Sequence, residues 1–292
     1  MIIKTAGIRT INEFSDKTIS DLKQALLLFD RIGITSLNYI LDNNQHHATN
    51  CQHWHCFKEM ELLSENDLIF DATRTNASLK GGPDALGADD FNKAIEYIRQ
   101  MRESNDEKAQ LDGHSRLSAM ILNNEDVNRD FISIPIVNQL NSINTVKSSE
   151  VDVVNIVIKQ MPIPAENVPW QDIFDFKSDP INNGHLTGLR TWINKMSRTD
   201  YKVNEIEDEL QYLLFQYRQA LNYHNIKFRM GALETIVVGL SELAERTIKL
   251  QFSKIAKGAF SARQTKAELL QAEMTSSGNE VAYIYKANNK FS

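Results

Sequence analysis

The chain has 292 residues, of which 42% are hydrophobic and 24% charged, and a formal net charge of -6. That length suits one large core or two packed ones, and the composition is too apolar for global disorder. The acidic balance excludes a generic nucleic-acid coat, which needs surplus Lys and Arg to displace counterions from phosphates.

No apolar run approaches the ~20 residues of a membrane helix, so no membrane partner is expected. Met1 to Thr5 lacks the apolar core of a secretory leader. Two cysteines make no disulfide framework. The expected compartment is the cytoplasm, where thiols stay reduced.

The first half reads as alternating elements. Ile2-Ile3 suggests a short strand. Ser15 and Asp16 open a helix with Ile19, Leu22, Leu26 and Phe29 on one face. Ile32 and Ile34 suggest a second strand. Phe57, Met60 and Leu63 mark an amphipathic helix that runs out near Asn66, and Leu68-Ile69-Phe70 is extended. Asp89 and Asp90 start a helix with Phe91, Ile95 and Ile98 inward, acidic where the dipole prefers it. Another helix covers about 109–122. Phe131 to Val137 contains Pro135 and so predicts an edge or bulged strand. Val151 to Ile158, dense in β-branched residues, predicts a strand.

Met161 to Pro169 holds three prolines in nine residues and reads as a connection. Beyond it come helices at 170–176, around Leu186, Leu189 and Ile193, and from Ile206 to Leu221. The last of these carries Glu205, Glu207, Asp208 and Glu209 at its start. Residues 231–270 predict a long helical stretch, Gly278-Asn279 a turn, and Val281 to Tyr285 a final strand returning to the sheet. The expected architecture is a predominantly helical α+β fold. It combines an α/β portion over 1–160, the proline-rich connection at 161–169, and a helical portion over 170–292.

The stretch Val168-Pro169-Trp170-Gln171-Asp172-Ile173-Phe174-Asp175-Phe176, with Leu189-Arg190-Thr191-Trp192-Ile193, the ending Gly278-Asn279-Glu280-Val281-Ala282-Tyr283-Ile284 and the early run Ala25 to Ile32, resembles an uncharacterised bacterial protein family of unknown function. The likeness spans most of the chain. It implies a bacterial, soluble domain and assigns no catalytic residue.

Both cysteines and four of the seven histidines fall between His46 and Cys56. Cys51, His53, His55 and Cys56 supply the thiolate and imidazole ligands that zinc takes in tetrahedral sites, with His46 and His47 nearby. The spacing is cramped for a structural site, which usually pairs ligands from two segments. A solvated polar loop is the competing reading. Asp30 and Asp71, each closing an apolar run, could together hold Mg²⁺ at strand ends, although such aspartates more often cap turns. Arg218 and His224 resemble the Arg/His pattern of HEPN-type helical ribonucleases, the Arg holding phosphate and the His moving a proton. They lie about 120° apart on a helix, which disfavours joint action. Two weaker features are the Lys80–Gly87 loop, as an anion cradle, and a basic face of Arg246, Lys249, Lys254 and Lys257. The leading expectation is a binding or assembly component with a protein partner or a second copy of itself. A nucleic-acid or nucleotide-acting enzyme and a zinc-stabilised regulatory protein are the alternatives.

Overall fold

The computed structural model describes residues 4–11, 15–44, 54–73, 88–125, 131–138, 149–223 and 276–292. Four short strands form one parallel sheet: β1 (Lys4–Arg9), β2 (Arg31–Ile34), β3 (Ile69–Asp71) and β4 (Phe131–Pro135), in the order β3-β2-β1-β4. The register pairs Ala6 with Arg31, Lys4 with Phe131 and Ile32 with Ile69. The predicted Ile2-Ile3 strand lies outside the described residues, and β1 begins just after it.

Strand side chains alternate between two faces. Ile32, Ile34, Ile69, Ile134 and Ile136 point into the main core. There they meet α1 (Asp16–Leu28), α3 (Trp54–Glu65) and α6 (Glu150–Gln160). Gly7 belongs to the same face: a Cβ on it would stand 2.6 Å from the Phe29 ring, so only glycine lets α1 end this close to the sheet. Ala6 and Ile8 point the other way, against Ala119 and Leu122 of α5 (Glu107–Glu125), which packs on α4 (Ala88–Glu103). A parallel sheet buried on both faces needs this helix–sheet–helix layering.

α2 (Leu37–Asn44) follows β2 directly and was not anticipated. α4 also departs from expectation: among its described side chains Ala94 is buried and Phe91 and Ile98 are half-buried, whereas Ile95 is 49% exposed.

Residues 151–158 are helical, not a strand. Ser149 and Asp152 form a capping box that satisfies the first amides of α6. The helix is buried nearly all round, from Asp152 to Ile158. Burying each Val or Ile contributes roughly 1.5–3 kcal/mol. That outweighs a helix-propensity penalty below about 0.7 kcal/mol per residue.

The remaining helices are α7 (Trp170–Ser178), α8 (Pro180–Met196), α9 (Val203–Tyr223) and α10 (Ala282–Phe291). Asp179 separates α7 from α8, and its carboxylate caps the amides of Ile181 and Asn182 with Pro180 at the first helical position. The C-terminus is the second correction: 281–285 is not a returning strand. A single 3₁₀ turn, Asn279–Val281, leads into α10, whose Tyr283, Ile284, Ala287 and Phe291 are buried against α8. One core cluster runs from Ile19 to Phe291 and joins the sheet layer to these helices. Among the described residues no helix is long and apolar enough to cross a membrane.

Candidate metal centre

α1 and α3 bring their N-termini together. Asp16 is the first residue of α1, fixed by its N-cap Ser15, whose hydroxyl accepts from the Thr18 amide. His55 and Cys56 occupy the first turn of α3. Asp16 Oδ1 lies 2.6 Å from His55 Nε2, Cys56 Sγ lies 3.2 Å from that nitrogen, and Cys56 Sγ donates to Asp16 Oδ1 at 3.5 Å. One carboxylate oxygen, one imidazole nitrogen and one sulfur thus converge on a common point.

A fourth group comes from the proline-rich connection. Glu166 lies beside Asp16 and lines the same cavity. Its backbone is held by α1: the buried Lys23 ammonium donates to the Glu166 carbonyl, and Gln24 Nε2 donates to Ile158 O and Met161 O. Lys23 also stacks over Trp170 at 5.0 Å, and Trp170 Nε1 donates to Glu59 at 2.8 Å. Asp16, His55, Glu59 and Glu166 line a cavity of about 140 Å³.

The charges follow from these contacts. The hydrogen bond from His55, with Glu166 beside it, holds Asp16 below the usual carboxylate range. The Asp16 carboxyl pushes Glu166 up. Burial, then Asp16, raises the Cys56 thiol to about 12. Burial lowers the Lys23 ammonium, against the pull of Glu59 and Glu166.

Two chemistries use Cys, His and Asp together. In a nucleophilic triad the acid orients the imidazole through the nitrogen opposite the nucleophile. Here Asp16 and Cys56 both approach the same nitrogen, Nε2. Cys56 is also fully buried with a raised thiol pKa, the reverse of an activated nucleophile. A metal fits better. Ligand atoms around tetrahedral zinc at ~2.0–2.3 Å are about 3.3–3.7 Å apart. The 3.5 Å contact falls in that range and the 3.2 Å contact about 0.1 Å below it, while the 2.6 Å contact would open by less than about 1 Å on exchanging a proton for an ion.

Of the expected ligands, His55 and Cys56 fall in this cluster, whereas Cys51 and His53, with His46 and His47, lie outside the described residues. Asp16 and Glu166 were not foreseen, because they reach the site only through the tertiary packing of α1.

Asp30 and Asp71 are not brought together. Asp71 pairs with Ile34 at the carboxyl end of the sheet, while Asp30 precedes β2 at the amino end, about 13 Å away at ~3.3 Å per residue. Asp71 caps local turns, accepting from the amides of Asn38 and Thr73. Asp30 accepts from the Thr5 amide at 2.9 Å and pairs with Arg190 at 3.0 Å. Burial would raise it, but Arg190, the Thr5 amide and Lys177 outweigh that and hold it low.

Asp30 belongs to the termination of α1. Three orphan carbonyls there each accept from a different C-terminal helix: Leu27 from Tyr283, Phe29 from Lys177 and Leu28 from Arg190. Two of the donors are cations at the negative end of the helix dipole.

Arg218 is exposed on α9, and His224 lies outside the described residues. The Lys80–Gly87 loop and the basic face at 246–257 also lie outside them. The strand order reverses between β1 and β4, the usual ligand crevice of open α/β sheets. Its polar groups pair with each other: the Thr10 amide donates to Ser115, Asn138 donates twice to Asp112, and Arg9 pairs with Asp21.

No protein-family model, curated protein or solved structure matches this chain.

Proposed function

We propose that the protein is a metal-stabilised binding protein. A divalent ion of zinc type, held by Asp16, His55 and Cys56 with Glu166 of the 161–169 connection beside them, ties the start of α1 to that of α3. The convergence of Asp16 Oδ1, His55 Nε2 and Cys56 Sγ within 3.5 Å carries this reading. A bound ion would deprotonate the thiol and relieve the crowding of Asp16 against Glu166, with Lys23 offsetting the surplus negative charge. A thiolate ligand needs a reducing compartment, in keeping with a cytoplasmic, bacterial protein. The ion's role here is structural or regulatory, and the work of the protein is done through a protein partner or a second copy of the chain.

Cobalt substitution tests the ligand set. Stoichiometric Co²⁺ should give the visible bands of a tetrahedral ion and a thiolate-to-cobalt charge-transfer absorption. Cys56→Ser should abolish the charge-transfer band, and Asp16→Asn should weaken binding. An octahedral spectrum, unchanged in Cys56→Ser, would rule the centre out.

A further inference from the structure

The outer rim of β4 is closed to strand pairing. Asn123 of α5 bonds both the amide and the carbonyl of Ser133 through its carboxamide. Pro135 has no amide, and its carbonyl accepts from Asn155 Nδ2. Along this sealed rim lie two cavities of about 530 and 310 Å³, which share Ile132, Ile134 and Glu150. Anything binding there is recognised by side chains and not by backbone pairing.

The larger cavity falls within the ~300–1,000 Å³ range of small-molecule sites. Its floor is apolar, from Phe29, Val154 and Ile132, and Ile132 is 40% exposed. One wall is a stripe of α8 carrying Thr187, Arg190, Thr191 and Asn194, with Arg198 in the turn that follows the helix. Both threonine hydroxyls turn back onto helix carbonyls, leaving the arginines and Asn194 as donors. The charge of Arg190 is met by Asp30. Arg198, in the turn two residues beyond the end of α8, is exposed and has no ion pair among the described residues. The only acidic residue lining this cavity, among the described residues, is Glu150.

We propose that this groove binds an anionic amphiphile, its carboxylate or phosphate head on Arg198 and Asn194 and its apolar chain along Ile132 and Val154. The proposal is independent of the metal centre. Calorimetric titration with decanoate and decyl phosphate, both below micellar concentrations, tests it and shows which head is preferred. Decanol and inorganic phosphate supply the chain and the charge alone. Saturable one-to-one binding of at least one amphiphile is expected, with neither control matching it. Arg198→Gln should weaken binding by about tenfold or more, Ile132→Ser should weaken it, and Glu150→Gln should tighten it, with thermal melts confirming folding. Binding of decanol or phosphate as tight as the amphiphile's, affinity unchanged in Arg198→Gln, or no binding of either amphiphile would overturn the proposal.

Discussion

Replacing Arg190 by Met should destabilise the protein through the end of α1, with no chemistry involved. The guanidinium makes two bonds, to Leu28 O at 2.8 Å and to Asp30 Oδ1 at 3.0 Å. Its side chain is 22% exposed and that of Asp30 27%, so the pair is only modestly screened by water. Removing the cation orphans a helix carbonyl, worth about 1–3 kcal/mol, and leaves a largely buried carboxylate with the Thr5 amide and Lys177. Fully buried pairs lose about 3–5 kcal/mol when one partner goes. Discounting for partial exposure, Arg190→Met should cost about 2–4 kcal/mol. Asp30→Asn keeps the Thr5 bond and should cost less, and the double variant should be milder than the sum, with a coupling of about 1 kcal/mol or more. Urea titrations followed by circular dichroism would measure all three. A loss below about 0.5 kcal/mol for Arg190→Met, or strict additivity, would refute the reasoning.

Asn123→Ala should unmask the Ser133 amide and carbonyl, costing about 1–3 kcal/mol and promoting concentration-dependent self-association visible by light scattering. Gly278→Ala should loosen the docking of α10 by at least about 1–2 kcal/mol, because φ is +79° and the new Cβ would meet Leu213 O at 2.2 Å; a urea midpoint like the parent's would contradict this. The Lys177 ammonium is enclosed, and burial lowers it from 10.5 to about 8. Between those values the unfolded chain binds more protons than the folded one. Stability should therefore rise with pH from about 8 to 10.5, by up to about 1.4 kcal/mol per unit, and Lys177→Met should flatten that slope.

What the sequence reveals depends on how local each signal is. α1 is legible from Ser15 and its apolar stripe, and Pro135 alone marks β4 as an edge or bulged strand, of which the structure shows the edge. The β-branched run of α6 reads as a strand in the sequence, although Asp152, Asn155 and Lys159 recur at helical spacing. The overlooked cue was Ser149 followed three residues later by Asp152, a helix-start signature. α10 was mistaken for a similar reason: Val281 to Tyr285 looks extended in isolation, whereas the contacts of Ile284, Ala287 and Phe291 at helical spacing decide the outcome. In the site, His55 and Cys56 stood out as rare residues side by side. Asp16 and Glu166 are ordinary carboxylates, and only the pinning of the 161–169 connection by Lys23 and Gln24 shows where they go. The apolar run before Asp30 reads in the sequence as a strand end or a helix end, and in the structure it is the last turn of α1.

We propose that Asp16, His55 and Cys56, with Glu166 beside them, hold an ion. Elemental mass spectrometry of protein purified without a histidine tag tests it most directly, beside Cys56→Ser and Asp16→Asn variants shown by circular dichroism to be folded. Close to one zinc-type ion per chain is expected in the parent, with substantial loss in both variants. Parent protein free of transition metal after growth and purification in zinc-supplemented medium, or metal retained undiminished in both variants, would contradict it.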